Sequence, residues 1–295
     1  MKRFCTFLLV ILFLFLTIFE LSACNFLSRD TSKSDIAVSV KNDIELKNAL
    51  TNLTKETDVI IKAGNYKNLT IPKLKYPVKI IAEDGTRING ITIMDGVKDL
   101  TIKGVSFDIS GIKLANAENI TISNCNFSLA SNIVGQTGCS VKNLIIKDCS
   151  FTNIMDSMTS AIKILQYDGL IVENCEFDGI EYNALQVGNE NAFGRVIIQG
   201  NTFRNIGSRI IYLVSVEKLV SCEVVANKFY DNTDCLLLEG EQDDGIKKED
   251  GIYIHSKSET GNISVGQNYW EIIPEKSNLF IVSIATYEEN EQLLI

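Results

Sequence analysis

The stretch Leu170-Ile-Val-Glu-Asn-Cys-Glu-Phe177 decides the fold, because close variants of it recur along the chain. Each variant has an apolar pair, polar residues, an Asn or Cys, one further residue and then an aromatic residue. The other variants end at Phe107, Phe127, Phe151, Phe203, Phe229 and Trp270, so the aromatic residue returns after 20, 24, 26, 26, 26 and 41 residues. Repetition at this period is typical of solenoids, propellers and other arrays.

The residues inside each copy distinguish these architectures. Two short β-rich runs occur per copy, as in residues 161–165 and 170–172, and no copy has helical spacing over ten residues. This excludes leucine-rich, ankyrin and tetratricopeptide repeats, and a propeller blade needs roughly 40 residues. Short strands stacked on the next coil at about 4.8 Å fit the copy length. We therefore predict an all-β fold, a single-stranded right-handed parallel β-helix with a short N-terminal capping helix.

Stacked coils place equivalent side chains above one another. The recurring aromatic residues should therefore form an internal ladder. Two positions earlier, Cys125, Cys149 and Cys175 should form a second column that continues as Asn201, Asn227 and Asn268. Stacked Asn amides can hydrogen-bond along such a column and so remain satisfied inside the protein. The Cys column is either a metal or redox site or a stack of small buried thiols. The second interpretation is favoured, because each coil has one Cys instead of a Cys-x-x-Cys pair.

The N-terminus predicts the location of the protein. Met1-Lys-Arg-Phe is followed by a short apolar run and by Leu21-Ser-Ala-Cys24, which is similar to a bacterial lipobox. We expect residues 1–23 to be a lipoprotein signal peptide, Cys24 to be lipidated, and 24–36 to be a polar tether. The alternatives are an ordinary signal peptide or an uncleaved anchor. A lipid anchor would hold the exported protein on a bacterial membrane in the cell envelope.

Residues 37–295 are expected to form one β-helix domain. Asp43 is the predicted N-cap of an amphipathic helix that covers the first coil. The apolar face of this helix is expected to contain Ile44, Leu46, Leu50 and Leu53. The coils should run from about Asp58 to Trp270, and the chain after Glu271 has lost the repeat and should cap the other end.

The net charge bears on the class of partner, and the cysteines bear on whether the protein contains disulfides. The formal net charge is −9, and no basic block is present, which disfavours nucleic acid as a partner. Six cysteines remain once Cys5 and Cys24 are set aside. We expect mostly free thiols among them: Cys125, Cys139, Cys149, Cys175, Cys222 and Cys235.

The stretches Asp58-Val-Ile-Ile-Lys-Ala-Gly-Asn-Tyr66 and Val78-Lys-Ile-Ile-Ala-Glu-Asp-Gly85 resemble the first coils of the pectin-lyase-like superfamily. Within it, the chain looks most like the chondroitinase B and alginate-lyase branch and like β-helix lipoproteins of bacterial glycan-utilisation systems. The resemblance covers most of the predicted mature chain and implies a polysaccharide as partner. Its motifs specify coils, not chemistry.

The catalytic signatures of that superfamily do not carry over well. The polygalacturonase and pectate-lyase signatures, such as Gly-His-Gly and Arg-x-Pro-x-x-Arg, are missing from the sequence. The chondroitinase B branch uses a Lys and an Arg on neighbouring coils, near acidic calcium ligands. The best local match is Asn201-Thr-Phe-Arg-Asn-Ile-Gly-Ser-Arg-Ile-Ile-Tyr212, and Val214 stands where the resemblance would place the lysine.

Two residues are candidates for catalysis of β-elimination, which needs a base and a cation near the uronate. Arg209 could supply the cation, and the alternative is a corner arginine on the surface. His255, the single histidine of the chain, could act as a base near neutral pH, although a lone surface histidine is more often inert.

An acidic insertion, residues 239–251, fills the longest interval between aromatic residues. Glu239, Glu241, Asp243 and Asp244 supply the oxygen density that a Ca²⁺ site needs. The alternatives are a solvated acidic turn and a loop that walls a binding face. Nothing else in the sequence indicates a cofactor.

One face of the predicted helix has a column of polar and aromatic side chains. Lys163, Gln186, Tyr212 and Tyr253 fall at or near equivalent outward positions in the strand before each repeated stretch. Aromatic faces with polar groups are how proteins recognise sugars. The alternative is an ordinary solvent-facing sheet. We favour polysaccharide binding without catalysis over a polysaccharide lyase of the chondroitinase B or alginate-lyase type, and over a structural or adhesive surface protein.

Overall fold

The computed structural model describes residues 37–155, 159–188, 193–215, 218–230, 251–256, 262–271, 282–286 and 293–294. Within these residues the chain contains one helix, α1 (Asp43–Thr51), and many short strands. The strands are β1 Ala37–Val40, β2 Thr57–Ile61, β3 Gly64–Tyr66, β4 Leu69–Ile71, β5 Val78–Ala82, β6 Thr86–Ile88, β7 Ile91–Ile93, β8 Val97–Lys103, β9 Ser106–Phe107, β10 Ile112–Leu114, β11 Ala117–Ser123, β12 Asn126–Leu129, β13 Ile133–Gly135, β14 Val141–Lys147, β15 Ser150–Ile154, β16 Ile162–Ile164, β17 Tyr167–Glu173, β18 Glu176–Ile180, β19 Leu185–Val187, β20 Phe193–Gln199, β21 Thr202–Ile206, β22 Ile211–Ser215, β23 Lys218–Val225, β24 Lys228–Tyr230, β25 Ile252–Ser256, β26 Asn262–Gly266, β27 Tyr269–Trp270, β28 Val282–Thr286 and β29 Leu293–Leu294.

Three long sheets contain these strands. Sheet A has the order β1-β2-β5-β8-β11-β14-β17-β20-β23-β26, and sheet B has β3-β6-β9-β12-β15-β18-β21-β24-β27. Sheet C has β4-β7-β10-β13-β16-β19-β22-β25-β28-β29. Each coil contributes one strand to each sheet, and successive coils pair in parallel, as between β14 and β17. The predicted right-handed parallel β-helix is therefore confirmed.

The repeated stretch occupies the end of a sheet A strand, a corner, and the start of a sheet B strand. Its Phe residues pair in register, and their rings stack 4.7–5.1 Å apart from Phe107 to Phe229. Trp270 continues the stack at 3.8 Å from Phe229. The predicted aromatic ladder is therefore confirmed, and its six Phe rings are almost completely buried.

The corner between sheets A and B explains the Asn, Asp and Gly residues of the repeated stretch. Asn124, Asp148 and Asn174 have φ between 51° and 54°, and Gly200 has φ 66°. This left-handed conformation favours Asn, Asp and Gly over other residues. A Cβ atom on Gly200 would lie 2.5 Å from Asn174 Oδ1, so glycine also serves close approach there.

The column two positions before each aromatic residue points inward, as predicted. Asn201 Nδ2 donates to the Val172 carbonyl at 3.0 Å and to Asn227 Oδ1 at 3.0 Å, and Asn201 Oδ1 accepts from the Cys175 N–H at 2.9 Å. Asn227 repeats this pattern with the Ile198 carbonyl and Asn268. The amide side chains thus bond along the stack, which satisfies polar groups in a dry interior.

The three column cysteines occupy the same position as these amides. Cys175 Sγ lies 3.8 Å from the Ile146 carbonyl, which is equivalent to the Val172 carbonyl that Asn201 uses. Burial raises the pKa of Cys125, and the hydrogen bond with Cys149, followed by burial, raises the pKa of Cys175. Cys149 accepts hydrogen bonds from both neighbours, which lower its pKa relative to theirs.

The prediction of free thiols is confirmed for Cys125, Cys139, Cys149, Cys175 and Cys222. Cys235 lies outside the described residues.

Helix α1 covers the first coil, as predicted, but two details of the prediction were wrong. Asn42, not Asp43, is the N-cap, because Asn42 has extended backbone and its side chain accepts from the Glu45 N–H at 2.9 Å. Glu45 Oε2 in turn accepts from the Lys41 N–H at 2.8 Å, and Glu45 Oε1 accepts from Asn42 Nδ2 at 2.9 Å. Leu46 and Leu50 are buried, whereas Ile44 is 72% exposed because it lies on the other side of the helix.

The ends of the solenoid extend further than the sequence suggested. β1 precedes the helix and pairs in parallel with β2, so sheet A begins one strand before the predicted start at Asp58. After Glu271, β28 continues sheet C by parallel pairing with β25, and β29 adds an antiparallel edge strand. No helix in the described part of the chain combines the length and apolarity that crossing a bilayer requires.

Candidate functional site

The outward face of sheet C brings together three of the four predicted sugar-contacting side chains. Cα register pairs Lys163 with Gln186 and Gln186 with Tyr212, on β16, β19 and β22. The residues before and after them in each strand are fully buried: Ile162, Ile164, Leu185, Val187, Ile211 and Leu213. Because side chains alternate along a strand, Lys163, Gln186 and Tyr212 point outward. The backbone of Tyr253 pairs with Tyr212 in the same column, and its side chain lies outside the described residues.

Arg209 lies beside this column. Its guanidinium carbon is 4.8 Å from the centre of the Tyr212 ring, close enough for a cation–π contact. The Arg209 backbone N–H donates to Asn183 Oδ1 at 3.1 Å, and Asn183 is buried. The corner that carries Arg209 is therefore fixed to the coil below, and the arginine is positioned against an aromatic face.

A buried serine supports the middle of the column. The Ser160 hydroxyl is within 3.3 Å of Gln186 Oε1 and donates to it, although Ser160 itself is fully buried. This hydrogen bond joins two neighbouring coils and holds the Gln186 side chain beside Tyr212. The site is thus partly organised before any ligand arrives.

The charge of this face differs from that of the protein as a whole. The chain is acidic, with formal net charge −9. The described outward side chains of the sheet C column include lysines and no carboxylate: Thr70, Thr92, Lys113, Val134, Lys163, Gln186 and Tyr212. A face of this kind offers hydrogen-bond donors and positive charge to a ligand.

A pocket of about 430 Å³ lies at the corner between sheets B and C, and the sequence analysis missed it. Its walls come from three successive coils, immediately before the strands that carry Lys163, Gln186 and Tyr212. The lining residues are Met155, Gly179, Ile180, Glu181, Asn205, Ile206 and Gly207. Met155 is 72% exposed there. Gly179 precedes Ile180, and Gly207 follows its partner Ile206; these two small residues on adjacent coils were the signal in the sequence that could have indicated a recess.

The remaining predicted site residues are only partly placed. Val214 pairs with His255 through Cα register, so the single histidine belongs to the same face one coil beyond Tyr212, but its side chain is outside the described residues. The calcium candidates Glu239, Glu241, Asp243 and Asp244, and the lipidation candidate Cys24, also lie outside them. In the described ranges, no group of three or more His, Cys, Asp and Glu side chains could hold a metal ion.

Comparison with known proteins agrees with the fold. Residues 89–269 match the family model described as "Right handed beta helix region". Among solved structures, the PL6-family alginate lyase AlyGC is similar with a TM-score of 0.52 and 14% identity, over 80% of this chain and 40% of that one. An alginate lyase from Paenibacillus sp. str. FPU-7 has a TM-score of 0.46 and 11% identity, over 80% of this chain and 98% of that one.

The chain spans about two fifths of the length of AlyGC, and the identity is low enough that the likeness concerns the fold alone. No curated protein is significantly similar in sequence.

Proposed function

The chain belongs to the family of right-handed β-helix proteins, and on that premise we propose that it is a cell-envelope lipoprotein whose β-helix binds a polysaccharide without cleaving it. The proposed binding face is the outward column of sheet C with Arg209 beside it. The glycan would lie along the solenoid, so that successive sugar units meet successive coils.

The pairing of Lys163, Gln186 and Tyr212 on adjacent coils is the observation that carries this proposal. A sugar ring can stack its apolar face on Tyr212, while Gln186 and Lys163 hydrogen-bond to hydroxyl or carboxylate oxygens. Arg209, held over the Tyr212 ring, adds a donor for a charged substituent. All four groups come from rigid strands or from a corner hydrogen-bonded to the next coil.

The aliphatic Val214 supports binding without cleavage. It stands at the position where the resemblance to chondroitinase B would place a proton-abstracting lysine, and a valine cannot remove a proton. The apolar run and Cys24 near the N-terminus support export and anchoring.

A polysaccharide lyase is the second candidate. The observation that favours it is the register between β22 and β25, which pairs Val214 with His255. A histidine on the coil next to Arg209 and Tyr212 could act as the base for β-elimination.

Electrophoresis through gels that contain sodium alginate, polygalacturonate or chondroitin sulfate tests the binding face. We expect at least one of these polymers to retard the wild-type protein. The Gln186→Ala/Tyr212→Ala variant should lose about tenfold or more of the affinity, because a stacking ring and an amide at the centre of a site contribute a few kcal/mol. The matched control is Thr101→Ala/Thr121→Ala, two paired outward residues on another face, sheet A. Equal retardation of both variants would remove sheet C from the proposal.

Incubation with the same three polymers tests for cleavage. We expect no growth of the ultraviolet absorbance that an unsaturated uronate product gives. Growth that disappears in His255→Gln would replace the binding proposal with the lyase.

A further inference from the structure

The outward face of sheet B changes in character along the solenoid. On the earlier coils it contains small polar residues that bond to one another. Asn126 Nδ2 is 3.4 Å from Ser106 Oγ, and the Ser150 hydroxyl donates to Asn126 Oδ1 at 2.8 Å. The same column continues through Glu176, Thr202 and Lys228 to Tyr269, and the column beside it ends in Arg204 and Tyr230. The column also contains Arg87 before Ser106, but in the described residues its aromatic ring is on the last of these coils.

Arg204, Tyr230 and Tyr269 form a contiguous surface that we name the tyrosine platform. The Arg204 guanidinium carbon is 4.8 Å from the centre of the Tyr230 ring. The Tyr230 and Tyr269 rings are 5.4 Å apart and tilted by 47°. Tyr269 is 54% exposed, and Lys228 is its exposed neighbour on the preceding coil.

The platform does not follow from the needs of the fold. The coils of Ser106, Asn126 and Ser150 show that small hydrogen-bonded residues suffice for the outward side of this sheet. Two tyrosine rings, of which one is half-exposed, instead offer apolar faces with hydroxyl tips, a combination that proteins use at binding surfaces. The Arg204 contact fixes the orientation of the first ring, and Lys228 adds a donor at the edge. Asp178, which lies opposite Arg204 in the strand register, accepts a hydrogen bond from Asn205 Nδ2 at 2.7 Å.

We propose that the tyrosine platform is a second saccharide-binding surface, on a face of the solenoid other than sheet C. A pyranose ring would stack on Tyr269, with its hydroxyl groups directed to Lys228 and Arg204. The class of ligand rests on the proposed function, but the surface does not share residues with the sheet C column. Contacts on two faces would let one protein bridge two glycan strands, or two segments of one strand, and gain avidity.

Tyr269→Thr tests the platform with little risk to the fold. Threonine favours strands, and Thr202 already occupies this outward column two coils earlier. Trp270, the single tryptophan of the chain, adjoins Tyr269 and stacks on Phe229, so unchanged Trp270 fluorescence verifies the last coil. The matched control is Tyr76→Thr, because Tyr76 also has a cation, the Lys75 ammonium, 5.2 Å from its ring centre.

In gels containing sodium alginate or polygalacturonate, we expect Tyr269→Thr to weaken retardation by about tenfold and Tyr76→Thr to leave it unchanged. If Trp270 fluorescence changes, Tyr269→Phe is used as a second variant. This variant keeps the ring and should bind the polymer as the wild type does. Loss of polymer binding in both variants overturns the platform. Wild-type retardation in Tyr269→Thr also overturns it.

The sheet C proposal fails independently. Loss of binding in Tyr269→Thr but not in Gln186→Ala/Tyr212→Ala would retain the platform and remove the sheet C column. If none of the gels retards the wild type, both proposals fail. If sedimentation shows that Tyr269→Thr instead dissociates a dimer, the platform is a contact between two copies, and the saccharide proposal is wrong.

Discussion

At the scale of single residues, the interior of each coil depends on exact superposition of side chains. Asn201 is an example. Its side chain accepts a hydrogen bond from the Cys175 N–H and donates one to the Val172 carbonyl, both on the preceding coil. A buried unsatisfied backbone group costs about 1–3 kcal/mol, so the Asn201 side chain stabilises the coil through its hydrogen bonds as well as through its shape. Cysteine can occupy the column because a small polarisable thiol reaches the equivalent carbonyl weakly.

Replacement of Phe177 by Ala should lower the free energy of unfolding by about 3–5 kcal/mol. The Phe177 ring lies between those of Phe151 and Phe203, at 4.8 and 4.9 Å, and neither neighbour can move into the cavity without leaving its own coil. Urea denaturation followed by circular dichroism measures the effect. The control is Glu176→Ala, an exposed residue of the same strand, which should change the stability by less than about 0.5 kcal/mol. Equal effects of the two variants would contradict the role of the ladder.

At the scale of elements, α1 closes the end of the core that parallel stacking would leave open. Leu46 and Leu50 pack on the first coil, while the hydrogen bonds between Asn42 and Glu45 fix where the helix begins. Helices of nine residues are marginal by themselves, so the cap and the packing decide whether this one forms.

Asn42→Ala should destabilise the protein by about 1 kcal/mol, because the Glu45 N–H loses its acceptor at the helix start. The control uses the other end of the same helix. Asn52 is the C-cap, and its backbone N–H, not its side chain, makes the capping bond to the Asn48 carbonyl, so Asn52→Ala should have a smaller effect. Differential hydrogen exchange of α1 amides would locate the change. Equal protection of these amides in wild type and Asn42→Ala would mean that the cap is dispensable.

At the scale of the whole molecule, the predicted lipid anchor can be tested separately from the fold. We expect Cys24→Ser to move the protein from the membrane fraction to the soluble fraction of expressing cells, because the predicted lipid attachment site is lost. Thermal unfolding of the purified domain should remain unchanged. Mass spectrometry of the wild-type N-terminal peptide should detect the acyl chains, and an unmodified Cys24 in a membrane-bound protein would instead indicate an uncleaved anchor.

Much of the fold could be predicted because every coil repeats the same order of apolar, polar and aromatic residues, so each copy supports the same assignment. The aromatic ladder, the inward Cys and Asn column and the pairing of Lys163, Gln186 and Tyr212 all follow from spacing. Side-chain packing does not. Arg209 lies over Tyr212, and Ser160 reaches Gln186, through contacts that spacing alone does not specify. The corner pocket arises from the shapes of three coils together.

The ends of the solenoid were the hardest to predict, since β1 and β28 do not resemble the repeat. Asn42 and Asp43 are both good N-caps, and only the extended backbone of Asn42 distinguishes them. The roles of His255 and of the acidic insertion stay predictions.

The buried thiols of Cys125 and Cys222 have a consequence for the chemical durability of the protein. Oxidants and alkylating reagents attack the thiolate, and they need access to it. Burial raises the pKa of Cys222 to about 12 and holds the pKa of Cys125 well above its usual range, and both sulfurs are sealed from solvent. We therefore expect Cys125 and Cys222 to resist these reagents while the coils stay closed. The rate at which these two thiols react with such reagents therefore reports how often the solenoid opens locally.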